Sequence, residues 1–246
     1  MSIFVLVYID KAAVRRYAAH VRTNRQEGGL LMSPLVLVRK SEEAESMLQQ
    51  PAEAGFDLPR IERAVREILI AVGEDPDRDG LRETPRRVAR AYAELLGGLR
   101  QGPEQHLRRV FEHRSDSDDL VLVRDIEFSS MCEHHLLPFY GTVDVAYLPD
   151  KGKVVGLSKI ARTVDVFARR PQLQERLTAA IADAIAEHLQ ARAVAVVVRA
   201  EHLCLRMRGA SKRGADMVTT AFRGELDRNR VLRAEALSLL RPHTAS

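Results

Sequence analysis

The only two cysteines of this 246-residue chain both lie beside histidines, in segments far apart in the sequence. One segment is Met131-Cys132-Glu133-His134-His135, the other Glu201-His202-Leu203-Cys204. If these side chains serve one ion, the fold must carry a point just past mid-chain against a point near the C-terminus. Cys132 and His135 have the spacing that lets a turn close both onto one ion. On an expected strand, His202 and Cys204 are two apart and share a face. The spacing therefore assigns Cys132, His135 and Cys204 as ligands of one zinc per chain. His134 and His202 then stand beside it as acid/base groups. Three protein ligands and an open position mark a catalytic zinc, whereas structural zinc takes four. A closed site of both cysteines and two histidines is the alternative. A Cys132–Cys204 disulfide is a third, disfavoured by histidines flanking both thiols in an intracellular chain.

Composition narrows the function classes. Hydrophobic content of 46% with 29% charged residues suits a globular chain with a sizeable core, not a disordered one. The net charge of +4 is spread along the chain. A nucleic-acid binder needs a concentrated basic stripe, so the local basic clusters here suit a small anion better. No run approaches the ~18 apolar residues that span a bilayer. The apolar opening Ile3-Phe4-Val5-Leu6-Val7-Tyr8-Ile9 is short and lacks a leading basic segment or a cleavage site. A cytoplasmic location without membrane contact is the expectation.

Residues 1–57 show no sustained period and read as a poorly ordered N-terminal extension; 241–246 is a tail. From residue 58 the pattern sharpens. Leu58, Ile61, Val65, Ile68, Leu69 and Val72 line one helix face, ending at Gly73. Thr84-Pro85 opens a second helix, with Thr84 as N-cap and Pro85 in first position, stopped by Gly97-Gly98. Residues 58–118 thus form a helical N-terminal part, and 119–240 the catalytic part. In the latter, strands are expected over 120–128 and 141–148. A helix capped by Ser158 and another started by Pro171 follow. A long strand over 194–207 and a shorter one over 218–223 complete the set. Strand, strand, helix, helix, strand, strand, with no alternating βαβ pattern, indicates α+β with a largely antiparallel sheet.

Basic side chains gather at three places. Gly156-Leu157-Ser158-Lys159-Ile160-Ala161-Arg162 surrounds a helix start with a hydroxyl, an ammonium and a guanidinium, and helix N-termini favour anions. Arg87 and Arg90 share a helix face. Arg206 and Arg208 follow Cys204 at strand spacing. Singly, each is most simply read as solvated surface; beside a zinc cluster they suggest a phosphorylated substrate.

Five motifs in order carry a resemblance. They are Asp79-Gly80-Leu81-Arg82-Glu83-Thr84-Pro85-Arg86-Arg87-Val88, then Cys132-Glu133-His134-His135-Leu136-Leu137-Pro138-Phe139, then Gly156-Leu157-Ser158-Lys159, then Arg170-Pro171-Gln172-Leu173-Gln174-Glu175-Arg176-Leu177, then Glu201-His202-Leu203-Cys204. Across residues 58 to 240 the chain resembles GTP cyclohydrolase I. The resemblance implies a tunnelling fold and a toroidal homodecamer with sites between subunits. It implies conversion of GTP and water to 7,8-dihydroneopterin triphosphate and formate, the first step of folate and pterin biosynthesis. It implies Zn2+ on Cys132, His135 and Cys204, and catalysis by His134 and His202. By the same resemblance Ser158 lies near the ribose and Glu175, with Gln174, grips the guanine edge. Lys159, Arg162 and Arg208 bind the triphosphate, and Arg87 and Arg90 complete that site. Other classes make different demands. A tunnelling-fold nitrile reductase needs a nucleophilic cysteine and a nicotinamide site, and a structural zinc module turns over no GTP.

Overall fold

The computed structural model describes residues 55–240 apart from 109, 113–118, 151, 210 and 213; for 110–112 it describes the backbone alone. The expectations for the extension up to residue 54 and for the tail 241–246 lie outside the described residues.

Helix α1 (Leu58–Ala71) starts where Asp57 accepts the backbone N–H of Arg60 at 2.9 Å, the N-cap contact that satisfies an orphan donor. Just before it, Phe56 lies under the Arg100 guanidinium, 4.5 Å from the ring centroid. Helix α2 (Thr84–Leu95) packs on α1. Its N-cap is Glu83 and not Thr84, which already lies inside the helix, its hydroxyl 3.4 Å from the Gly80 carbonyl. A 3-10 turn (Gly97–Arg100) follows and settles against the next long helix. Gly98 is needed there: a Cβ at this position would stand 2.3 Å from the Val166 carbonyl oxygen. Its N–H donates to Arg169 O at 3.0 Å, and its carbonyl accepts from Arg170 Nε at 2.9 Å.

The one-turn helix α3 (Glu104–Leu107) leads to the short strand β1 (Val110–Glu112). Strands β2 (Val121–Cys132) and β3 (Pro138–Leu148) follow, then β4 (Lys153–Val155), which pairs antiparallel with β1. Helix α4 (Leu157–Ala168), strand β5 (Pro171–Gln172) and helix α5 (Gln174–Leu189) occupy the middle. Strand β6 (Ala193–His202), the turn α6 (Leu203–Arg206), strand β7 (Met217–Gly224) and helices α7 (Glu225–Arg228) and α8 (Arg230–Leu239) close the chain. The main sheet has the order β5-β2-β3-β6-β7, antiparallel except for the β2–β5 pair. The α+β reading with a helical pair between strand pairs describes this layout. No helix among the described residues is long and apolar enough to cross a membrane.

Three expected element boundaries are corrected. Gly156, extended at φ −62° and ψ 137°, is the N-cap of α4, and Ser158 is that helix's second residue. Pro171 starts no helix; it sits on the edge strand β5 opposite Met131, where its missing N–H costs nothing, and α5 begins at Gln174. The strand expected over 194–207 ends at His202. Its partner β3 starts at Pro138, so the ladder runs out at the Phe139–His202 pair, and the chain turns into α6.

Both faces of the sheet are covered. Val143, Val145 and Tyr147 face Ile160, Val164, Leu177, Ile181 and Ile185 of the α4–α5 pair. On the other face, Ala146, Ala193, Ala195 and Val197 pack against Leu226, Ala236 and Leu240, small side chains leaving room for α8. That cover buries Asp144, 2% exposed, which accepts Asp125 N–H at 2.8 Å across a bulge in β2 and pairs with Arg199. Arg199 in turn donates to Leu240 O at 2.8 Å. Asp144→Ala strips Arg199 of its counter-ion and leaves the bulge N–H unmet, an expected loss of about 3 kcal/mol in denaturant unfolding. A change within about 0.5 kcal/mol would show the pair to be incidental.

Candidate metal centre and active site

The first pair of candidate ligands is brought together by a turn at the end of β2. Leu136 N–H donates to Cys132 O at 2.8 Å, and Cys132 N–H to Leu137 O at 2.9 Å, so residues 132–137 close on themselves. Leu136 takes a left-handed φ of 52° to do this. The turn is tied to the start of α5. Glu133 N–H donates to Gln172 O at 3.0 Å, and the Glu133 carboxylate takes both Arg176 nitrogens, at 2.6 and 3.2 Å. Cys132 is buried and His135 exposed at the mouth.

The third candidate ligand arrives by a different route from the expected one. Cys204 lies on α6, one turn past the strand, and not on a strand face shared with His202. The thiol and ring atoms of Cys132, His135 and Cys204 nevertheless lie within 4.8 Å of one another, the one such group of three among the described residues. Two sulfurs ~2.3 Å from a tetrahedral ion stand roughly 3.8 Å apart, so the donor set is near the spacing zinc requires. Burial and the neighbouring Cys132 thiol push the Cys204 thiol above its usual range, because two such close sulfurs resist becoming two anions. A dication between them reverses that preference. Neither His134 nor His202 joins this group of three.

The two remaining histidines differ in setting. His134 is exposed, its ring centroid 6.1 Å from that of His135 and steeply inclined to it. His202 is half-buried and stacks flat on Phe139, centroids 4.6 Å apart. Its Nδ1 lies 4.0 Å from Cys204 Sγ and its Nε2 2.8 Å from Gln174 Oε1. Burial pushes its pKa down, and the charge of Glu175 opposes this. Glu175 is thus near His202, exposed in the first turn of α5. Gln174 beside it is buried, and both ends of its amide are occupied within the chain. Glu175 remains open to a guanine contact.

Of the basic groups, Lys159 and Arg162 lie in the first half of α4, with Ser158 exposed at its start. Arg208 is exposed just past α6, and its charge reaches Cys204. Arg206 does not extend a strand with it, but folds back onto Glu201, which also accepts the Tyr140 hydroxyl at 3.2 Å. Arg87 and Arg90 are exposed on α2, in the N-terminal helical part. The sequence reading passed over His106 on α3, held below the usual histidine range by burial and the nearby charges of Lys159 and Arg162. A histidine with no cysteine or carboxylate motif around it gives no signal before the fold is known.

Comparison with known proteins identifies a family. The family model of GTP cyclohydrolase I matches residues 61–241. GTP cyclohydrolase 1 of Thermobifida fusca (strain YX) is 59% identical over 190 residues, 77% of this chain and 91% of that protein. The same-named proteins of Corynebacterium aurimucosum and Bacillus cytotoxicus are 57% and 56% identical, over 78% and 76% of this chain and 97% and 98% of their own. The match takes in the turn after β2, both long helices of the middle and the segment through Cys204, and the chain belongs to the GTP cyclohydrolase I family.

Proposed function

We propose that this chain converts GTP and water to 7,8-dihydroneopterin triphosphate and formate, the first step of folate and pterin biosynthesis, in the cytoplasm. The observation that carries the reading is a Cys–His–Cys donor set flanked by two further imidazoles, in a chain of this family. Cys132, His135 and Cys204 would hold a zinc ion, which would supply a Lewis acid able to bring the pKa of water down to ~7. His134 and His202 move the protons. Protonation of purine N7 makes C8 more open to attack, and imidazole is the side chain suited to giving and taking a proton near neutral pH. Ser158 serves the ribose, whose opening and rearrangement precede closure of the new ring. Lys159, Arg162 and Arg208 hold the triphosphate, the first two where the N-terminus of α4 adds its partial positive charge.

We assign the subunit a tunnelling fold and the assembly a toroidal homodecamer with sites between subunits, so that Arg87 and Arg90 on α2 complete the phosphate site. Neither nucleic acid nor membrane is a partner. Purified chain loaded with one zinc per subunit should release formate and form the pterin chromophore from GTP in equal amounts. Absence of both products with zinc bound removes the assignment.

Base choice falls to Glu175. Its carboxylate can accept guanine N1–H and the exocyclic amine together, a pair adenine does not offer. Glu175→Gln should keep its zinc and lose about 2 kcal/mol, roughly thirty-fold, in kcat/KM for GTP. Unchanged kinetics would send the guanine anchor elsewhere.

A further inference from the structure

We propose that Gln174 is a positioning residue that sets the tautomer and orientation of His202, and that its side chain does not touch the substrate; the proposal rests on the GTP reaction above. Gln174 is 1% exposed at the start of α5. Its amide nitrogen lies 2.9 Å from Met217 O, 3.1 Å from Val198 O and 3.2 Å from Thr219 Oγ1. Carbonyl oxygens only accept, so the NH2 end of the amide must face them. A closed hydroxyl relay holds the same sense. Thr178 Oγ1 donates to Gln174 O at 2.7 Å, which spends its one proton. Thr219 Oγ1, 2.6 Å from Thr178 Oγ1, must then donate to it and accept from Gln174.

The other end of the amide follows by elimination. Gln174 Oε1 can only accept, and it stands 2.8 Å from His202 Nε2, so that nitrogen carries the hydrogen. In the neutral ring, Nδ1 then holds the lone pair, on the side where Cys204 Sγ lies 4.0 Å away. Stacking on Phe139 at an interplanar angle of 3° fixes the ring plane. Partners on β6, β7 and α5 therefore present a proton acceptor in one direction, toward the metal ligands.

Groups that orient an active-site ring through its far nitrogen typically cost 10–100-fold when removed. Gln174→Met keeps the length of the side chain and removes both halves of the amide. The expected result is kcat lowered 10–100-fold, KM for GTP within about twofold of the parent, and zinc content unchanged. The long-range 1H–15N spectrum of histidine-labelled protein should show His202 as the Nε2–H tautomer in the parent, and a mixture in Gln174→Met. Raised KM with unchanged kcat would mean that Gln174 grips the base, and would overturn the proposal. A parent spectrum with the hydrogen on Nδ1 would do so as well. If Gln174→Met does not fold, the parent spectrum decides alone: a hydrogen on Nε2 sustains the proposal, and one on Nδ1 overturns it. Should the parent fail to turn over GTP, the reaction assignment falls, and the parent spectrum still decides the tautomer.

Discussion

Cys204→Ser should abolish zinc binding and turnover together and leave the fold in place. A serine hydroxyl stays protonated near neutral pH and is a poor exchange for a thiolate, which zinc prefers as a ligand. The remaining pair, Cys132 and His135, comes from one turn and cannot by itself close a three-ligand set. The substitution swaps one small side chain for another at a half-buried position, so burial changes little. Metal analysis should return near-zero zinc, activity should fall to background, and far-ultraviolet circular dichroism should match the parent. Unfolding should require less denaturant only by the stabilisation that bound zinc gave the parent. Full zinc and full turnover in the purified variant would sink the ligand assignment.

Much of this site was legible before the fold, though not always for the right reason. The Cys132–His135 spacing was read as a turn, and a turn closes there, because its hydrogen bonds run between residues at most five apart. Cys204 was placed beside the metal through strand periodicity, yet it reaches the cluster from α6. What ends β6 is the start of its partner strand at Pro138, more than sixty positions earlier. No local pattern around Cys204 carries that. Pro171 has the same explanation: after Arg170 it looks like a helix start, but Met131 supplies a strand for it to lie against. The burial of Asp144 was illegible in β3, since α8 arrives from the end of the chain to cover it. Gln174 is the sharpest case. Its neighbour in sequence is an exposed Glu175, while its side-chain partners come from two strands far along the chain, β6 and β7.

His134→Ala and His202→Ala should lower kcat by roughly 10²–10⁴ each and keep their zinc, whereas His135→Ala loses it. His134 and His202 stand outside the three-atom group, so removing either leaves the ligands intact. The two catalytic variants should nevertheless part company in stability. His134 is exposed, and its loss leaves no buried group without a partner. His202 is the donor that satisfies Gln174 Oε1 in the interior, and its ring also covers one side of Phe139. His202→Ala therefore orphans a buried acceptor, which costs about 1–3 kcal/mol, and opens a void beside an aromatic ring. The expected pattern is three distinct signatures in three proteins: lost zinc for His135→Ala, lost kcat alone for His134→Ala, lost kcat with a lowered unfolding midpoint for His202→Ala. Ring opening and ribose rearrangement are separate proton transfers, so one of the two catalytic variants should accumulate a ring-opened formylated intermediate, visible by mass spectrometry in a single turnover. Zinc lost from His134→Ala and kept in His135→Ala would invert the assignment, because the turn after Cys132 brings only one of the two neighbouring imidazoles to the ion.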